Sequence, residues 1–344
     1  MSISMTNDIV IGGISIPPGA RKRVGIKVAK LYDYTEMTIP VEVLRGKKDG
    51  PVLFVSAAIH GDEINGIETI KRLLARKSIL SGIRGTLIAV PIINVFGFHQ
   101  KIRYLPDRRD LNRCFPGSRS GSLGGQIAYI FMEEIVEKCT HGIDLHTGSM
   151  HRTNLPQIRA STDDFETKRL ALAFGVPVVL NSNLRDGSLR QAAADKNIPM
   201  LLFEGGEALR YEEKVIRSAL RGIISIMNTI GMIDQKKINL RPRKKEVFVA
   251  RSSHWIRAPH SGSLRIRKRL GTMVKKDEIL GVISDAFGQG RINVRARETG
   301  IVIGMNMLPL VNNGDALFHI ATFENSKVVE EQVEFFDETL EIDD

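Results

Sequence analysis

The chain has 344 residues, of which 42% are hydrophobic, and this length suits one large and one smaller globular domain. No stretch approaches the roughly 20 apolar residues of a membrane span, no secretory signal opens the chain, and two cysteines are too few for a disulfide framework, so we expect a cytoplasmic protein. The formal net charge of +10 is compatible with nucleic acid, an acidic membrane surface or acidic small substrates, and does not choose among them.

The first 50 residues alternate polar and apolar side chains without a helical period, which predicts leading β-structure. From residue 52 to about 232, short apolar runs alternate with longer segments of helical period, as is typical of a parallel sheet covered by helices. The predicted strands are residues 52–59, 85–93, 142–146, 176–180 and 198–204, and the predicted helices are residues 63–76, 125–138 and 209–227. We therefore predict an α/β domain over residues 1–240.

A second, β-rich domain is predicted over residues 241–325, where short strands are separated by Gly, Pro and Asn turns. Its phrases APHSGSLRIR and ETGIVIGMN are similar to parts of a barrel-sandwich module of the lipoyl and biotinyl type, but no lysine stands in the hairpin context that carries such a group. We interpret the module as structural. The acidic residues 326–344 are expected to form a surface tail or a closing strand and turn.

Two basic runs, residues 236–245 (KKINLRPRKK) and 265–269 (RIRKR), contribute to the net charge. Neither is interleaved with the aromatic residues that stack on bases. A solvated surface is therefore the favoured interpretation. We expect neither a nucleic-acid partner nor a membrane partner.

Three side chains follow buried strands, at the edge where open α/β sheets form their crevice. His60 and Glu63 come directly after the strand at 52–59, and His146 ends the strand at 142–146. Catalytic zinc commonly takes three such protein ligands and leaves one position for water, so we predict one Zn²⁺ per chain at this trio. Each residue alone has an ordinary interpretation, since Glu63 also suits the first turn of a helix and His146 a hydrogen-bonded core position.

Four motifs occur together in one order: HGDE at residues 60–63, RYLPDRRDLNRCFPG at 103–117, DLHTG around His146 and FEGGE around Glu204. On these motifs the sequence resembles the succinylglutamate desuccinylase and aspartoacylase family, a branch of the zinc carboxypeptidase clan. The resemblance implies a mixed sheet flanked by helices as in zinc carboxypeptidases, plus a C-terminal all-β, barrel-sandwich-like domain that narrows access to the site. It also implies hydrolysis of the amide between an acyl group and the α-nitrogen of an amino acid.

The resemblance also implies roles for residues outside the metal trio. Glu204 matches the carboxylate that activates water, and Asn112 and Arg113 match the pair that grips a substrate carboxylate. A guanidinium fork suits that task because it binds a carboxylate through two parallel hydrogen bonds. Arg159, which follows the third ligand in LPQIRA, is a further candidate for binding a carboxylate.

Arg103 is the candidate for polarising the scissile carbonyl, but it stands two residues further from the Asn-Arg pair than in aspartoacylase. Arg108 and Arg109 therefore remain alternatives. The tyrosine that positions substrate in aspartoacylase has no counterpart, because no tyrosine follows Tyr211. The substrate can therefore differ from N-acetylaspartate.

Three functions are compatible with these residues. The leading hypothesis is a zinc-dependent deacylase that acts on a small acidic N-acyl amino acid. A peptidase that trims acidic residues such as glutamate from a peptide or protein end would use the same Asn-Arg pair. A metal-stabilised binding protein is disfavoured because it would not need Glu204. Assembly into a homo-oligomer is compatible with the sequence.

Overall fold

The computed structural model describes residues 9–234 and 247–341. The basic run at residues 236–245 and the predicted domain boundary at residue 240 lie outside the described residues. Within the described part of the chain, no helix is long and apolar enough to cross a membrane.

The N-terminal half begins with strands and continues as alternating strands and helices. The first elements are β1 (Ile9–Ile11), β2 (Ile14–Ile16), β3 (Arg21–Lys30), β4 (Glu36–Arg45), β5 (Lys48–Ala57), α1 (Asn65–Ala75), α2 (Lys77–Leu80), β6 (Arg84–Val90), α3 (Val95–Gln100) and α4 (Leu123–Glu134). They are followed by β7 (His141–Gly148), β8 (Arg152–Ala160), α5 (Phe165–Phe174), β9 (Val178–Asn181), α6 (Leu189–Asp195), β10 (Met200–Glu207) and α7 (Glu213–Thr229). Short 3-10 turns lie at Leu111–Arg113 and Val136–Lys138.

The C-terminal part consists of short strands and one closing helix. Its elements are β11 (Phe248–Ala250), β12 (Ser252–Arg257), β13 (Gly262–Ile266), β14 (Met273–Val274), β15 (Ile279–Ser284), β16 (Ile292–Arg295), β17 (Gly300–Asn306), β18 (Leu310–Val311), β19 (Ala316–Thr322) and α8 (Ser326–Glu341). The five predicted strands appear as β5, β6, β7, β9 and β10, and the three predicted helices as α1, α4 and α7. The strand β8 is not among the predicted strands.

A mixed sheet of 13 strands runs through the described residues, in the main order β12-β19-β17-β8-β10-β7-β5-β6-β4-β3. The central pairs β10·β7, β7·β5 and β5·β6 are parallel, whereas β8 and β4 join them antiparallel on either side. The predicted fold class, a mixed sheet flanked by helices with a C-terminal β region, is confirmed.

The central strands are apolar because both of their faces are covered. In β5, Leu53 and Val55 pack into one hydrophobic core, and the alternate residues Val52 and Phe54 pack into a second core on the opposite face. This alternation follows from the two-residue period of a strand, and it explains why such strands read as continuous apolar runs. The carboxyl ends of β5, β7 and β10 consequently lie side by side at one edge of a rigid layer.

The C-terminal strands continue the central sheet. β17 pairs antiparallel with β8 through the partners Gly304↔Asn154 and Met305↔Thr153, and β19 and β12 extend the sheet beyond β17. A separate four-stranded sheet, β16-β15-β13-β18, encloses a core with these strands. The β-rich C-terminal region is therefore joined to the α/β part by backbone hydrogen bonds.

The expectation of a surface tail or a closing strand and turn for residues 326–344 is wrong for the part that the structure describes, residues 326–341. The structure shows helix α8, whose residues Val329, Val333, Phe336 and Leu340 are buried. Their spacing of three to four residues places them on one face of a helix. Helical packing against the protein decided the conformation of this acidic segment, and its charges occupy the exposed face.

Candidate metal centre and catalytic cleft

His60, Glu63 and His146 lie together at the carboxyl edge of the central sheet. β5 and β7 are parallel neighbours, with Ala57 opposite Leu145, so the segments that follow these residues emerge at the same point. The ligand atoms of the three side chains all lie within 4.8 Å of one another, and all three residues are buried. Two imidazoles and one carboxylate form the donor set that catalytic zinc takes in proteins, so the trio fits the predicted ion.

Both imidazoles present Nδ1 to the carboxylate between them. His60 Nδ1 lies 2.7 Å from Glu63 Oε1, and His146 Nδ1 lies 2.9 Å from Glu63 Oε2. Glu63 also accepts a hydrogen bond from the backbone N–H of Thr147, at 3.2 Å. The three donors therefore converge from two different strand ends.

Two further carboxylates hold the outer nitrogens of the histidines. Asp110 Oδ1 lies 3.0 Å from His60 Nε2, and Asp144 Oδ2 lies 2.6 Å from His146 Nε2. Ser56 in turn donates its hydroxyl to Asp144, at 2.7 Å. A carboxylate on the outer nitrogen favours a proton there and orients the ring, which leaves Nδ1 for a metal.

These two aspartates were missed by the sequence analysis. Asp144 had a signal, because it stands two residues before His146 on the same strand and therefore on the same face. Asp110 lies within the motif at residues 103–117, and the sequence analysis assigned it no role at the metal site. Its contact with His60 spans 50 residues and no local pattern indicates it.

The charges of the trio are strongly coupled. Burial lowers the pKa of His146, but the carboxylates of Asp144 and Glu63 outweigh it and raise that pKa to about 10. Burial raises the pKa of Glu63, but His60 and His146 hold it well below its usual range. The carboxylates around the two histidines therefore favour protonated imidazoles, and binding of a metal would release these protons.

The turn that carries His60 is tightly constrained. Ala58 adopts a left-handed backbone conformation with φ of 49°, which is uncommon for a residue with a side chain. A Cβ atom at Gly61 would lie 2.0 Å from the backbone carbon of Gly97 in α3, so only glycine fits there. The close approach of α3 therefore holds the His-Gly-Asp-Glu turn in place.

Arg103 reaches the metal trio. Its Nη1 donates to Glu63 Oε1 at 3.1 Å, and its Nη2 donates to Asp110 Oδ2 at 2.9 Å. Arg108 and Arg109, the alternatives from the sequence, are exposed and do not line the cleft. Of the three candidates, the structure brings Arg103 to the site.

Glu204 lies in the second half of β10, opposite His146 in the register with β7, and the pairing becomes irregular directly after it. Its Oε2 accepts a hydrogen bond from Asn154 Nδ2 at 2.8 Å and lies 3.2 Å from Arg159 Nη2. Arg159 therefore contacts the carboxylate of Glu204, and a role in holding a substrate carboxylate stays a prediction. Asn154 was missed by the sequence analysis because nothing in its local sequence distinguishes it.

Asn112 and Arg113 lie in the 3-10 turn that follows Asp110, and both line the cleft. Asn112 Oδ1 accepts a hydrogen bond from the backbone N–H of Leu189, at the start of α6, at 2.9 Å. The amide nitrogen Nδ2 of Asn112 is therefore the atom that remains to donate to a substrate.

The residues described here enclose a cleft of about 370 Å³. Its lining contains the arginines Arg103, Arg113, Arg152, Arg159, Arg185 and Arg190 and the carboxylates Glu63, Asp144 and Glu204. All three carboxylates already contact histidine, asparagine or arginine side chains. The cleft consequently carries a surplus of positive charge.

Of the arginines that line the cleft and were missed by the sequence analysis, Arg190 is the most buried. It is only 7% exposed and donates to Ser182 and to the backbone of Asn183. Burial, followed by the positive charge of Arg159, lowers its pKa to about 10, so the side chain still carries its proton at neutral pH.

The C-terminal region contributes one wall of the cleft. Trp255 of β12 lines it and stacks on His319 of β19, with ring centroids 4.7 Å apart and planes 8° from parallel. The guanidinium of Arg152 lies over the Trp255 ring at 5.5 Å. This aromatic wall covers the side of the cleft that faces the C-terminal strands.

Comparisons with known proteins identify a family and a relative whose sequences match this chain. A family model of the succinylglutamate desuccinylase/aspartoacylase catalytic domain matches residues 49–230. The N-alpha-acetyl-L-2,4-diaminobutyric acid deacetylase of Halomonas elongata is 27% identical over 297 residues, which is 82% of this chain and 85% of that protein.

Solved structures match over both parts of the chain. The product-bound ectoine utilization protein EutE from Ruegeria pomeroyi has a TM-score of 0.80 at 22% identity and covers 90% of this chain and 97% of its own. A succinylglutamate desuccinylase/aspartoacylase from Rhodobacter sphaeroides has a TM-score of 0.77 at 22% identity, with coverage of 88% and 96%. At these identities the matches show a shared fold.

Proposed function

Since the chain belongs to the succinylglutamate desuccinylase/aspartoacylase family, we propose that it is a zinc-dependent deacylase of small acidic N-acyl amino acids. The observation that carries the proposal is the convergence of a buried His-Glu-His trio, a separate carboxylate and several arginines in one cleft. A volume of about 370 Å³ suits a small molecule. The deacetylase from Halomonas elongata supports the reaction class.

His60, Glu63 and His146 are the residues that would hold the ion. When bound, zinc supplies Lewis acidity, which makes a water more acidic and polarises a carbonyl group. Asp110 and Asp144 orient the two imidazoles through their Nε2 atoms.

Proton transfer is assigned to Glu204. Its Oε2 is held by Asn154 and Arg159, so Oε1 is the oxygen that accepts a proton from the attacking water. The same oxygen then returns the proton to the departing amino nitrogen, which completes cleavage of the amide. Arg103 stabilises the negative charge that develops on the carbonyl oxygen, because its guanidinium is already fixed by Glu63 and Asp110.

Substrate recognition is assigned to the basic walls of the cleft. Arg113 and Asn112 Nδ2 would hold a carboxylate next to the scissile amide, and Arg159 is a further candidate. The name of the Halomonas elongata relative indicates a substrate with an amino side chain. In this cleft every lining carboxylate already has partners, and an ammonium group would meet a surplus of arginine. The charge balance therefore favours an acidic substrate.

The test is a substrate panel with the zinc-loaded protein. It contains N-acetyl and N-succinyl aspartate and glutamate, their methyl esters, Nα-acetyl-2,4-diaminobutyrate and short peptides that end in glutamate. We expect the highest kcat/KM on a free acidic N-acyl amino acid and at least about a 10-fold loss on its ester, because the ester leaves arginine unpaired.

Faster cleavage of the diaminobutyrate derivative would reject the acidic substrate, and faster cleavage of the peptides would favour the peptidase. Glu204→Gln is the catalytic control. It should keep zinc but lose about 100-fold in kcat, the usual scale for a general base. Near-normal turnover in this variant would remove Glu204 from proton transfer.

A further inference from the structure

Asn154 occupies an unusual position in the sheet. It lies on β8, which runs between β10 of the α/β part and β17 of the C-terminal region. Its partner on β10 is Gly206 and its partner on β17 is Gly304. Both flanking residues are glycines, so neither neighbouring strand places a side chain beside Asn154 at its own level.

The side chain of Asn154 is directed to one oxygen of Glu204. Asn154 Nδ2 donates to Oε2 at 2.8 Å, and Arg159 Nη2 lies 3.2 Å from the same oxygen. Within residues 9–234 and 247–341, no side chain donates to Oε1. The hydrogen bond from Asn154 and the ion pair with Arg159 on one oxygen fix the rotation of the carboxylate and leave the other oxygen for the reaction.

The neighbouring glycine on β17 is required by this arrangement. A Cβ atom at Gly304 would lie 2.7 Å from Asn154 Oδ1 and 3.2 Å from His319 Cβ. The first distance is shorter than van der Waals contact, so the Asn154 amide would have to move. Since this amide holds Glu204, a methyl group on a C-terminal strand would disturb the proton-transfer residue without touching metal or substrate.

We infer that Asn154 is a positioning residue for Glu204 and that strand β17 of the C-terminal region keeps it in place through Gly304. The inference rests on the proposed function, in which Glu204 moves the proton. It assigns the C-terminal region a part in catalysis that is separate from covering the cleft. Asn154 acts through Glu204 and is expected to affect the rate of the reaction more than the binding of substrate.

The kinetic test uses the zinc-loaded full chain and compares Asn154→Ala, Gly304→Ala and the double variant with wild type. Each single variant should lose about 10- to 100-fold in kcat, the range for residues that orient a functional side chain through a hydrogen bond. KM and zinc content should change less than about twofold, because neither the trio nor Arg113 is altered. The double variant should lose no more than the worse single variant, because both substitutions remove one contact.

The matched control is Asn306→Ala. Asn306 is a buried asparagine like Asn154 but lies on β17, and its side chain accepts a hydrogen bond from the backbone of Leu308 and is not bonded to Glu204. This variant should keep kcat within about twofold of wild type. An unchanged kcat in Asn154→Ala, or a raised KM with unchanged kcat, would overturn the positioning role. If the two losses in kcat multiply in the double variant, Gly304 and Asn154 act independently, and the proposed coupling between them is wrong.

A structural measurement judges the inference independently of activity. Crystal structures of wild type and Gly304→Ala should show the Asn154–Glu204 hydrogen bond in the first and its loss in the second. A retained bond with an unmoved Asn154 in Gly304→Ala would overturn the coupling. If wild type cleaves no substrate of the panel, the proposed function fails, whereas these two structures still decide whether β17 positions Asn154 and Glu204.

Discussion

Asp144 contacts the candidate metal site through one hydrogen bond, to His146. Its carboxylate accepts from His146 Nε2 at 2.6 Å and from the Ser56 hydroxyl of the neighbouring strand at 2.7 Å. The side chain is completely buried, so water cannot replace either contact. The orientation and tautomer of His146 are therefore set by residues outside the candidate metal trio.

Asp144→Asn should weaken zinc binding by about 10- to 100-fold, because an amide can donate to Nε2 and so favour a proton on Nδ1, the nitrogen needed for zinc. The measurement is the zinc Kd by competition with a chromophoric chelator. Asp164→Asn is the control, since Asp164 caps α5 and does not line the cleft, and an asparagine can cap equally well. Equal Kd values for wild type and Asp144→Asn would contradict the orienting role.

His319, which stacks on Trp255 in the cleft wall, makes the stability of the folded protein depend on pH. Its Nδ1 is buried without a hydrogen-bond partner among the described residues. Burial, with Arg159 and His254 adding to it, lowers its pKa to about 3, against an ordinary value of 6.5. Below pH 6.5 the unfolded chain binds this proton and the folded protein does not, so stability is full above pH 6.5 and falls as the pH drops toward 3.

His319→Phe removes this proton and keeps an aromatic ring against Trp255. Between pH 7.5 and 5, wild type should lose about 2 kcal/mol more free energy of unfolding than the variant. Urea unfolding at the two pH values measures the difference. Equal losses in both proteins would show that His319 does not titrate in this way.

At the scale of elements, α8 shows how an acidic segment becomes part of the core. Phe336 is 2% exposed and packs into the same hydrophobic core as residues of α1, α5 and α7. The apolar residues of α8 recur on one face, and the carboxylates lie largely on the other. Helix α8 therefore packs against the protein through its apolar face.

Phe336→Ala should lower the free energy of unfolding by about 3 to 5 kcal/mol, because it removes a buried ring and leaves a cavity. Glu334→Ala, an exposed position on the same helix, should change it by less than about 0.5 kcal/mol. Denaturant titration of both variants is the measurement. A small loss for Phe336→Ala would mean that α8 is not docked on the core.

At the scale of the whole molecule, the two parts of the chain share one sheet. β17 pairs with β8 at three positions, and β11 pairs with β9. The C-terminal strands thus complete the backbone hydrogen bonding of β8, which itself adjoins Glu204. We expect the two parts to unfold together.

The single tryptophan, Trp255, makes this testable because it lies in the C-terminal region, whereas most helices lie in the α/β part. Urea transitions followed by tryptophan fluorescence and by helical circular dichroism should coincide, as expected for two-state unfolding. An earlier fluorescence transition would show that the C-terminal region unfolds separately.

The sequence by itself determined many of the local elements and singled out the candidate metal trio, whose binding of zinc stays a prediction. Apolar runs and helical periods depend on neighbouring residues, so they predicted five of the strands, β5, β6, β7, β9 and β10, and three of the helices, α1, α4 and α7. His60, Glu63 and His146 were recognisable because each follows an apolar strand, and the family resemblance that they supported is confirmed by the matching family model.

Only the tertiary structure decided which residues meet across the sheet. The order β10-β7-β5 brings Glu204, His146 and His60 to adjacent strand ends, although they are far apart in the chain. The contacts of Asp110 with His60 and of Asn154 with Glu204 each span 50 residues, and the pairing of β17 with β8 spans about three times as many. Local periodicity carries no information on such pairs, because their energy depends on the packing of the complete sheet.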